Sequence, residues 1–323
     1  MSSKPYIFVT RKVPDDALRL LNGIGEVEMW PEEESVVPRE VLLAKAAKAD
    51  ALITMLTDRI DGEVFRKADR LKIVANVAVG YDNIDVEAAA SRGVVVTNTP
   101  EVLTDTTADL TFALLMATAR RLIEANESIR KDAWTTWSPY QMAGRDVHHK
   151  TLGIVGMGRI GEAVAKRAAG FDMDVLYYNR SRRPEAERKL GVRYAPFDEL
   201  LRSADFVVCL TPLTEETKHL FAAEAFRKMK KTAFFINPSR GAVVDEQALA
   251  DALRTGEIAG AGLDVFEQEP ISSRHPLLAF PNVTALPHIG SATVETRTAM
   301  IELAFRNVRQ VVRGKAPLTP VQP

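Results

Sequence analysis

Arg240, Glu269 and His288 each lie in a loop that follows a short apolar run typical of a β-strand. A histidine can donate a proton near neutral pH, and a neighbouring carboxylate can orient its ring. An arginine can hold a carboxylate group and polarise the carbonyl beside it. Together these residue types suit reduction of a ketone, in which a cofactor supplies the hydride and the histidine supplies the proton.

The segment from Thr151 to Gly161 indicates what the hydride donor would be. An apolar strand pattern runs into glycines spaced G-x-G-x-x-G, and a helical pattern follows. This context favours a dinucleotide site over the alternative, a glycine-rich packing turn. Gly156 permits the tight turn, Gly158 lets the backbone approach the pyrophosphate, and the last glycine lets helix and strand pack closely. The phosphates would then meet the amide end of the helix.

The next strand of this unit ends at Asn179, where such folds usually place an acid that holds the ribose hydroxyls. Arg180, Ser181, Arg182 and Arg183 follow it. Guanidinium groups bind a 2′-phosphate through charge-assisted hydrogen bonds, whereas a carboxylate would repel it. We therefore expect NADPH to be preferred, with NADH as the alternative cofactor. The competing interpretation is that the arginines belong to a solvated loop.

Composition and charge disfavour several classes of function. The 323 residues suggest about two domains, and the net charge of −1 does not favour binding to nucleic acid or to an anionic membrane surface. Cys209, the only cysteine, lies in an apolar run, which predicts a buried thiol and no disulfide within the chain. No signal peptide and no stretch long enough to span a bilayer is apparent, so we expect a cytoplasmic protein.

The remaining histidines are His148, His149, His219 and His275. We expect them at the surface, because none directly follows a strand of the nucleotide-binding sheet. No histidines are paired at helical ligand spacing, so no metal site is expected. No G-x-S-x-G or similar nucleophile motif occurs either.

Short β-rich runs alternate with helical patterns along the chain, which predicts a parallel α/β architecture. The predicted strands are Tyr6–Val9, Val27–Trp30, Ala51–Met55, Ile73–Val77, Val94–Thr97, Leu152–Val155, Asp174–Tyr178, Val192–Tyr194, Phe206–Leu210, Ala233–Ile236, Ala259–Asp264 and Val283–Leu286. The second part would form a doubly wound sheet of six or seven strands. A long helix is predicted over Thr106–Arg130, with an apolar surface wide enough to face another domain or subunit. The last helix is predicted over Ser291–Val312.

These motifs, in this order, resemble the D-isomer-specific 2-hydroxyacid dehydrogenases over nearly the whole chain. The matching segments are Asn76–Asp85, Asn98–Asp109, Gly156–Gly161, Asn237–Gly241, Gly262–Pro270 and Pro287–Thr293. The resemblance implies two doubly wound α/β domains, Rossmann-like and flavodoxin-like, with a cleft between them that closes on binding. The NAD(P)-binding domain, residues 101–287, would be inserted into a substrate domain made of residues 1–100 and 288–323.

The resemblance also implies roles for individual residues. The catalytic residues would be Arg240, Glu269 and His288. The expected substrate-binding residues are Val79, Gly80, Arg240, Ser291 and Trp137, with the amides of Val79 and Gly80 on the substrate carboxylate. The expected cofactor contacts are Thr107, Gly156, Gly158, Arg159, Ile160, Gly161, Asn179, Arg180, Ser181, Arg182, Thr211, Pro212, Pro238, Asp264 and Gly290.

Within the family the chain looks most like glyoxylate/hydroxypyruvate reductases, including those that also reduce 2-ketogluconate. The residues that carry this likeness are Leu103–Asp109, Trp134–Pro139 and Asn179–Ser181. The resemblance implies a homodimer with the long helix after Thr104 in its interface. Trp137 would reach the partner subunit's active site, and the alternative is that it is an aromatic anchor in the dimer contact.

The expected reaction is NADPH-dependent reduction of glyoxylate or hydroxypyruvate to glycolate or D-glycerate, with His288 as the proton donor. Three alternatives remain at this point. One is reduction of 2-ketogluconate, and another is oxidation of a non-carbon donor such as phosphite. The third is a nucleotide-sensing scaffold like the transcriptional corepressors that resemble this family. The set of Arg240, Glu269 and His288 disfavours the scaffold.

Overall fold

The computed structural model describes residues 4–322. The chain divides into two compact units, which we call unit 1 (Met1–Leu103 with Thr293–Pro323) and unit 2 (Thr104–Ala292). These boundaries lie a few residues from the domain boundaries expected from the sequence. Which unit binds which ligand stays a prediction.

The strands are β1 Tyr6–Val9, β2 Glu26–Met29, β3 Ala51–Thr54, β4 Ile73–Asn76, β5 Val95–Thr97, β6 Thr151–Val155, β7 Asp174–Tyr178, β8 Arg193–Tyr194, β9 Phe206–Cys209, β10 Phe234–Asn237, β11 Gly260–Leu263 and β12 Val283–Ala285. The helices are α1 Asp15–Leu18, α2 Arg39–Ala46, α3 Gly62–Lys67, α4 Val86–Ser91, α5 Thr104–Ala119, α6 Leu122–Arg130, α7 Arg159–Ala168, α8 Pro184–Leu190, α9 Phe197–Ser203, α10 Ala223–Lys228, α11 Glu246–Thr255 and α12 Val294–Val312. In the part of the chain described, no helix has the length and apolar character needed to cross a membrane.

Unit 1 contains a five-stranded sheet in the order β2-β1-β3-β4-β5, with every pair of neighbours parallel. This is the flavodoxin-like order of doubly wound folds. All residues of β3 and β4 are buried, because helices cover both faces of the sheet, as parallel sheets require. The helix α12 returns from the far end of the sequence to pack against β3 and β4.

Unit 2 contains a seven-stranded parallel sheet in the order β12-β11-β10-β9-β6-β7-β8. Counted from β6, this is the Rossmann order with one further strand, and the strand order reverses between β6 and β9. The two parallel sheets confirm the predicted α/β class. Cys209, at the end of β9, is fully buried, as its apolar neighbours predict.

The prediction of one helix over Thr106–Arg130 is wrong, because α5 ends at Ala119 and α6 begins separately. Arg121 between them has a φ of 55°, which a helix cannot contain. The carbonyl of Ala119 accepts a hydrogen bond from the amide of Arg145 at 2.8 Å. A side chain on Gly144 would lie 2.2 Å from the same oxygen, so glycine permits this close approach. A contact from outside the helix therefore ends it.

Candidate active site

The glycine-rich turn after β6 has the three-part geometry that its spacing predicts. Gly156 has a φ of 106°, and a methyl group on it would lie 2.6 Å from the carbonyl carbon of Leu210. A methyl group on Gly161 would lie 2.4 Å from the oxygen of Gly156, which explains how closely α7 packs on the strand. A methyl group on Gly158, by contrast, would meet nothing within 4 Å. Open space therefore lies at the start of α7, where a pyrophosphate can approach the helix amides.

The end of β7 lies beside this turn, because the amide of Gly156 donates to the carbonyl of Tyr178 at 2.9 Å. Asn179 follows directly, and its side-chain amide donates to the carbonyl of Ser181 at 3.0 Å. The chain thus has no carboxylate at the position where an acid would hold the ribose.

The arginines that follow Asn179 differ in their partners. Arg182 donates to both oxygens of Glu187, at 2.8 and 3.0 Å. Arg183 pairs with Glu162 of α7 at 3.1 Å. Arg180 is exposed. Hydrogen bonds from Thr214 and the backbone lower the pKa of Glu216, and the charge of Arg180 lowers it further. Arg180 is therefore the arginine most available to a ligand.

Asp264, Thr107 and Gly290 come together at the carboxyl edge of the sheet. Asp264 is completely buried, and its Oδ1 accepts from the amide of Ile289 at 2.8 Å. Its Oδ2 is buried without a hydrogen-bond partner among residues 4–322. A methyl group on Gly290 would lie 3.3 Å from this oxygen and 3.5 Å from Thr107 Cγ2. Burial raises the pKa of the Asp264 carboxyl, and an orphaned oxygen of this kind fits a donor supplied by a ligand.

Two more expected cofactor segments adjoin the same edge. Thr211 and Pro212 follow β9, and Pro238 follows β10. The Sγ of Cys209 lies 3.6 Å from Thr211 Oγ1 and 3.3 Å from Ser239 Oγ, so one buried thiol contacts both loops. The expected positions therefore gather where the carboxyl ends of parallel strands meet.

His288 and Glu269 form a direct pair. His288 Nδ1 lies 2.7 Å from Glu269 Oε2, and the two side chains are 23% and 25% exposed. The amide of Phe266 donates to Glu269 Oε1 at 2.9 Å. The backbone of His288 is held by its amide, which donates to the carbonyl of Asp264 at 2.8 Å. These contacts fix the pair in place and leave it partly accessible.

The electrostatics of this pair determine which ring nitrogen can donate to a substrate. Burial alone would raise the pKa of Glu269, but hydrogen bonds from His288 and Phe266 and the charges of His288 and Arg240 outweigh it and lower that pKa. Glu269 is therefore ionised at neutral pH and can only accept hydrogen bonds. It follows that His288 Nδ1 carries the shared proton, and Nε2 is the nitrogen left for chemistry.

Arg240 is positioned by an unusually close contact between two loops. A methyl group on Gly241 would lie 1.8 Å from the carbonyl carbon of Phe266 and 2.3 Å from the amide nitrogen of Glu267. The Asn237 side-chain amide donates to the carbonyl of Arg240 at 2.9 Å. Because only glycine allows this approach, the Arg240 loop packs directly on the loop that carries Glu269. Unit 2 thus brings together Arg240, Glu269 and His288.

Sequence reasoning missed Glu246, the first residue of α11. Its Oε1 accepts from the amide of Glu267 at 2.9 Å, and its Oε2 lies 3.2 Å from His275 Nε2. His219 contacts Glu267 Oε1 at 2.8 Å. His275, expected at the surface, is only partly exposed: its side chain is 18% exposed and packs beside Phe266. These residues anchor the loop before Glu269, and no local pattern signals a contact across 21 residues.

The expected carboxylate-binding residues, Val79 and Gly80, lie in unit 1 after β4. Their carbonyls accept from the side-chain amides of Asn98, at 2.8 Å, and Asn76, at 3.0 Å. Their own amides have no acceptor within the described residues. Two adjacent N–H groups are therefore available to an anion.

Ser291 and Trp137, the other expected substrate contacts, lie in unit 2. Ser291 is half-buried just after the His288 loop. Trp137 is 76% exposed, in a stretch that has neither helix nor strand and in which residues 131–141 are all exposed. Tyr140 in the same stretch is 87% exposed. The structure brings Ser291 near the catalytic loop and leaves most of the Trp137 side chain exposed.

Comparison with known proteins identifies the family. The family model described as "D-isomer specific 2-hydroxyacid dehydrogenase, NAD binding domain" matches residues 112–290. A glyoxylate reductase from Thermococcus kodakarensis is 54% identical over 322 residues, which cover 98% of this chain and 96% of that protein.

Solved structures agree over the full length. The TT0316 protein from Thermus thermophilus matches with a TM-score of 0.92 and 45% identity, over 98% of this chain and 100% of that one. An NADPH-dependent glyoxylate/hydroxypyruvate reductase from Sinorhizobium meliloti, solved with NADP and malonate, matches with a TM-score of 0.83 and 35% identity over 99% and 97% of the two chains. The protein is therefore an NAD(P)-dependent oxidoreductase that belongs to the D-isomer specific 2-hydroxyacid dehydrogenase family.

Proposed function

We propose that the protein is an NADPH-dependent reductase of glyoxylate and hydroxypyruvate, forming glycolate and D-glycerate. The observation that carries this proposal is the set of Arg240, Glu269 and His288, which follow strands of the same parallel sheet as the dinucleotide turn, all within unit 2. Relatives named glyoxylate reductase, one of them 54% identical, support the choice of substrate. The Sinorhizobium meliloti relative supports hydroxypyruvate as a second substrate.

The residues of unit 2 fit a nicotinamide dinucleotide. Gly158 and Arg159, at the start of α7, would hold the pyrophosphate, and Asp264 Oδ2 would accept a hydrogen bond from the cofactor. When bound, the cofactor supplies the hydride that reduces the substrate carbonyl. NADPH is favoured because position 179 lacks a carboxylate and Arg180 is exposed.

His288 would deliver a proton from Nε2 to the substrate carbonyl oxygen. Glu269 holds Nδ1 and balances the charge on the ring before the transfer. Arg240 would bind the substrate carboxylate and polarise the neighbouring carbonyl. In this proposal unit 1 is the substrate domain, in which the free amides of Val79 and Gly80 would bind a carboxylate.

The test is an assay of NADPH oxidation with glyoxylate, hydroxypyruvate, pyruvate and 2-ketogluconate in parallel, repeated with NADH. We expect the highest kcat/KM with glyoxylate or hydroxypyruvate and NADPH. A preference for 2-ketogluconate would move the assignment to sugar-acid reduction, and a preference for NADH would refute the cofactor assignment. Turnover of none of the four would favour a nucleotide-sensing role.

We propose in addition that the protein is a homodimer joined through α6 and the exposed stretch after it. Leu122, Ile123 and Ile129 of α6 are exposed, and so are Trp137 and Tyr140. Large apolar side chains exposed along one stretch of the chain are typical of an association site. We propose that Trp137 contributes to the partner's substrate site. Light scattering would measure the mass of the protein in solution and so test the dimer. If Trp137→Ala stays dimeric and its KM for glyoxylate is unchanged, Trp137 serves only as an anchor in the dimer contact.

A further inference from the structure

We propose that Asn98, held by the segment Leu318–Val321, is the positioning residue that aims the carboxylate-binding amides of Val79 and Gly80. This inference rests on the proposed role of those two amides. The segment acts on the substrate loop although Thr319 and Asn98 lie 221 residues apart in the chain.

The first step follows from the planarity of the peptide group. The carbonyl of one residue and the amide of the next belong to one rigid, trans unit and point in opposite directions. The carbonyl of Val79 accepts from Asn98 Nδ2 at 2.8 Å, so this bond sets the direction of the Gly80 N–H. The carbonyl of Ala78 accepts from the amide of Thr99 at 2.8 Å, so that bond sets the direction of the Val79 N–H. Two consecutive residues thus orient both free amides.

The second step concerns what holds Asn98 itself. The hydroxyl of Thr319 donates to the carbonyl of Asn98 at 2.7 Å, and the amide of Asn98 donates to the carbonyl of Thr319 at 3.3 Å. The amide of Val321 donates to the carbonyl of Val96 at 2.9 Å. The segment therefore pairs antiparallel with the end of β5, on a sheet whose other neighbours are parallel.

The third step is the anchor of this segment on α12. Asn307 is completely buried, and its Oδ1 accepts from the amides of Leu318 and Thr319 at 2.8 and 3.1 Å. Its Nδ2 donates to Thr319 Oγ1 at 2.9 Å. A chain of hydrogen bonds therefore runs from α12 through Thr319 and Asn98 to the amide of Gly80.

The experiment measures oxalate binding by calorimetry and the KM for glyoxylate in Asn98→Ala and Thr319→Val. A neutral hydrogen bond is worth about 1 kcal/mol, so we expect oxalate Kd and glyoxylate KM to rise roughly five- to tenfold in Asn98→Ala. Thr319→Val keeps the shape of the side chain but loses the hydroxyl, and we expect a smaller rise in the same two quantities. The Kd for NADPH should stay unchanged, which a general loss of structure would not allow.

Asn282→Ala is the matched control. Asn282 Nδ2 donates to the carbonyl of Ala259 at 2.9 Å, the same kind of bond, but in unit 2. We expect its oxalate Kd to equal that of the unaltered protein. If Asn98→Ala fails to fold, Thr319→Val decides the question.

Unchanged oxalate Kd in a folded Asn98→Ala would overturn the inference, while glyoxylate turnover would still uphold the proposed function. Absence of oxalate binding by the unaltered protein would overturn it as well. If the unaltered protein binds oxalate but does not reduce glyoxylate, and Asn98→Ala weakens that binding, the inference stands and the proposed function fails.

Discussion

Glu269 uses both of its carboxylate oxygens, one at 2.7 Å from His288 Nδ1 and the other at 2.9 Å from the amide of Phe266. A carboxylate held on two sides cannot rotate away from the ring that it orients. The hydrogen bond to Phe266 therefore fixes the direction from which His288 presents Nε2.

Replacing Glu269 by glutamine should lower kcat, because the neutral amide no longer stabilises a protonated His288. We expect at least a tenfold loss, up to the roughly 10⁴-fold loss known when the carboxylate that orients a catalytic histidine is neutralised. The KM for glyoxylate should change less, since Arg240 is untouched. Steady-state kinetics of Glu269→Gln and of Glu224→Gln, an exposed carboxylate on α10, measure the difference.

The same variant should change how stability depends on pH. The pKa of Glu269 is lower in the folded chain than the usual value of about 4.3. Its contribution to stability is therefore present above that value and is lost as pH falls through the lower folded pKa. Acidification from pH 6 to pH 3 should lower the Tm of the unaltered protein more than that of Glu269→Gln. Parallel Tm curves would contradict this.

Replacing Gly241 by alanine should separate the two catalytic loops. Its methyl group would overlap the backbone of Phe266, and overpacking of this kind costs about 1–3 kcal/mol or more. We expect a lower free energy of unfolding and a lower kcat, because Arg240 moves away from Glu269. Gly170→Ala is the control, since a methyl group there meets nothing within 4 Å. Equal urea midpoints of unfolding for the two variants would contradict the close contact between Gly241 and the backbone of Phe266.

Replacing Arg180 by alanine should weaken the binding of NADPH and leave the binding of NADH nearly unchanged. One charge-assisted hydrogen bond to a phosphate is worth about 1.5–3 kcal/mol, so we expect roughly a 10- to 100-fold loss of kcat/KM with NADPH alone. Arg182→Ala should have a smaller effect, because Arg182 is paired with Glu187. If Arg182→Ala loses more kcat/KM with NADPH than Arg180→Ala does, Arg182 and not Arg180 is the main phosphate-binding arginine.

Replacing Asp264 by asparagine should stabilise the protein at neutral pH. Burial raises the pKa of this carboxyl in the folded chain, so its charged form opposes folding. The unaltered protein should therefore lose stability as pH rises from the ordinary aspartate pKa, about 3.9, through the raised folded value, and the variant should not. Thermal unfolding between pH 4 and pH 8 shows whether the two Tm curves diverge as pH rises.

The residues that sequence reasoning located best are those whose role is local. The turn at Gly156 follows from a pattern within eleven residues, because a strand, a tight turn and a helix must adjoin there. Most strand positions also followed from local apolar runs, to within one or two residues. The α/β class followed from their alternation with helices.

What the sequence did not reveal depends on contacts between distant segments. The break at Arg121 is caused by Arg145 and Gly144, which bind the end of α5 from a separate loop. Glu246 fixes the loop before Glu269 from another helix. Asn98 owes its orientation to Thr319. Local propensity carries no information on such pairs, since each needs the finished fold to meet.

The return of α12 to β3 and β4 sets the order in which the chain can acquire structure during synthesis. The ribosome delivers all of unit 2 before it delivers α12, so unit 2 can form while the first sheet still lacks one of its covering helices. Until then the apolar residues of β3 and β4 stay accessible to other nascent chains, and such surfaces are prone to aggregation. We therefore expect the chain to need a chaperone most in the period after the strands of the first sheet are synthesised and before α12 is.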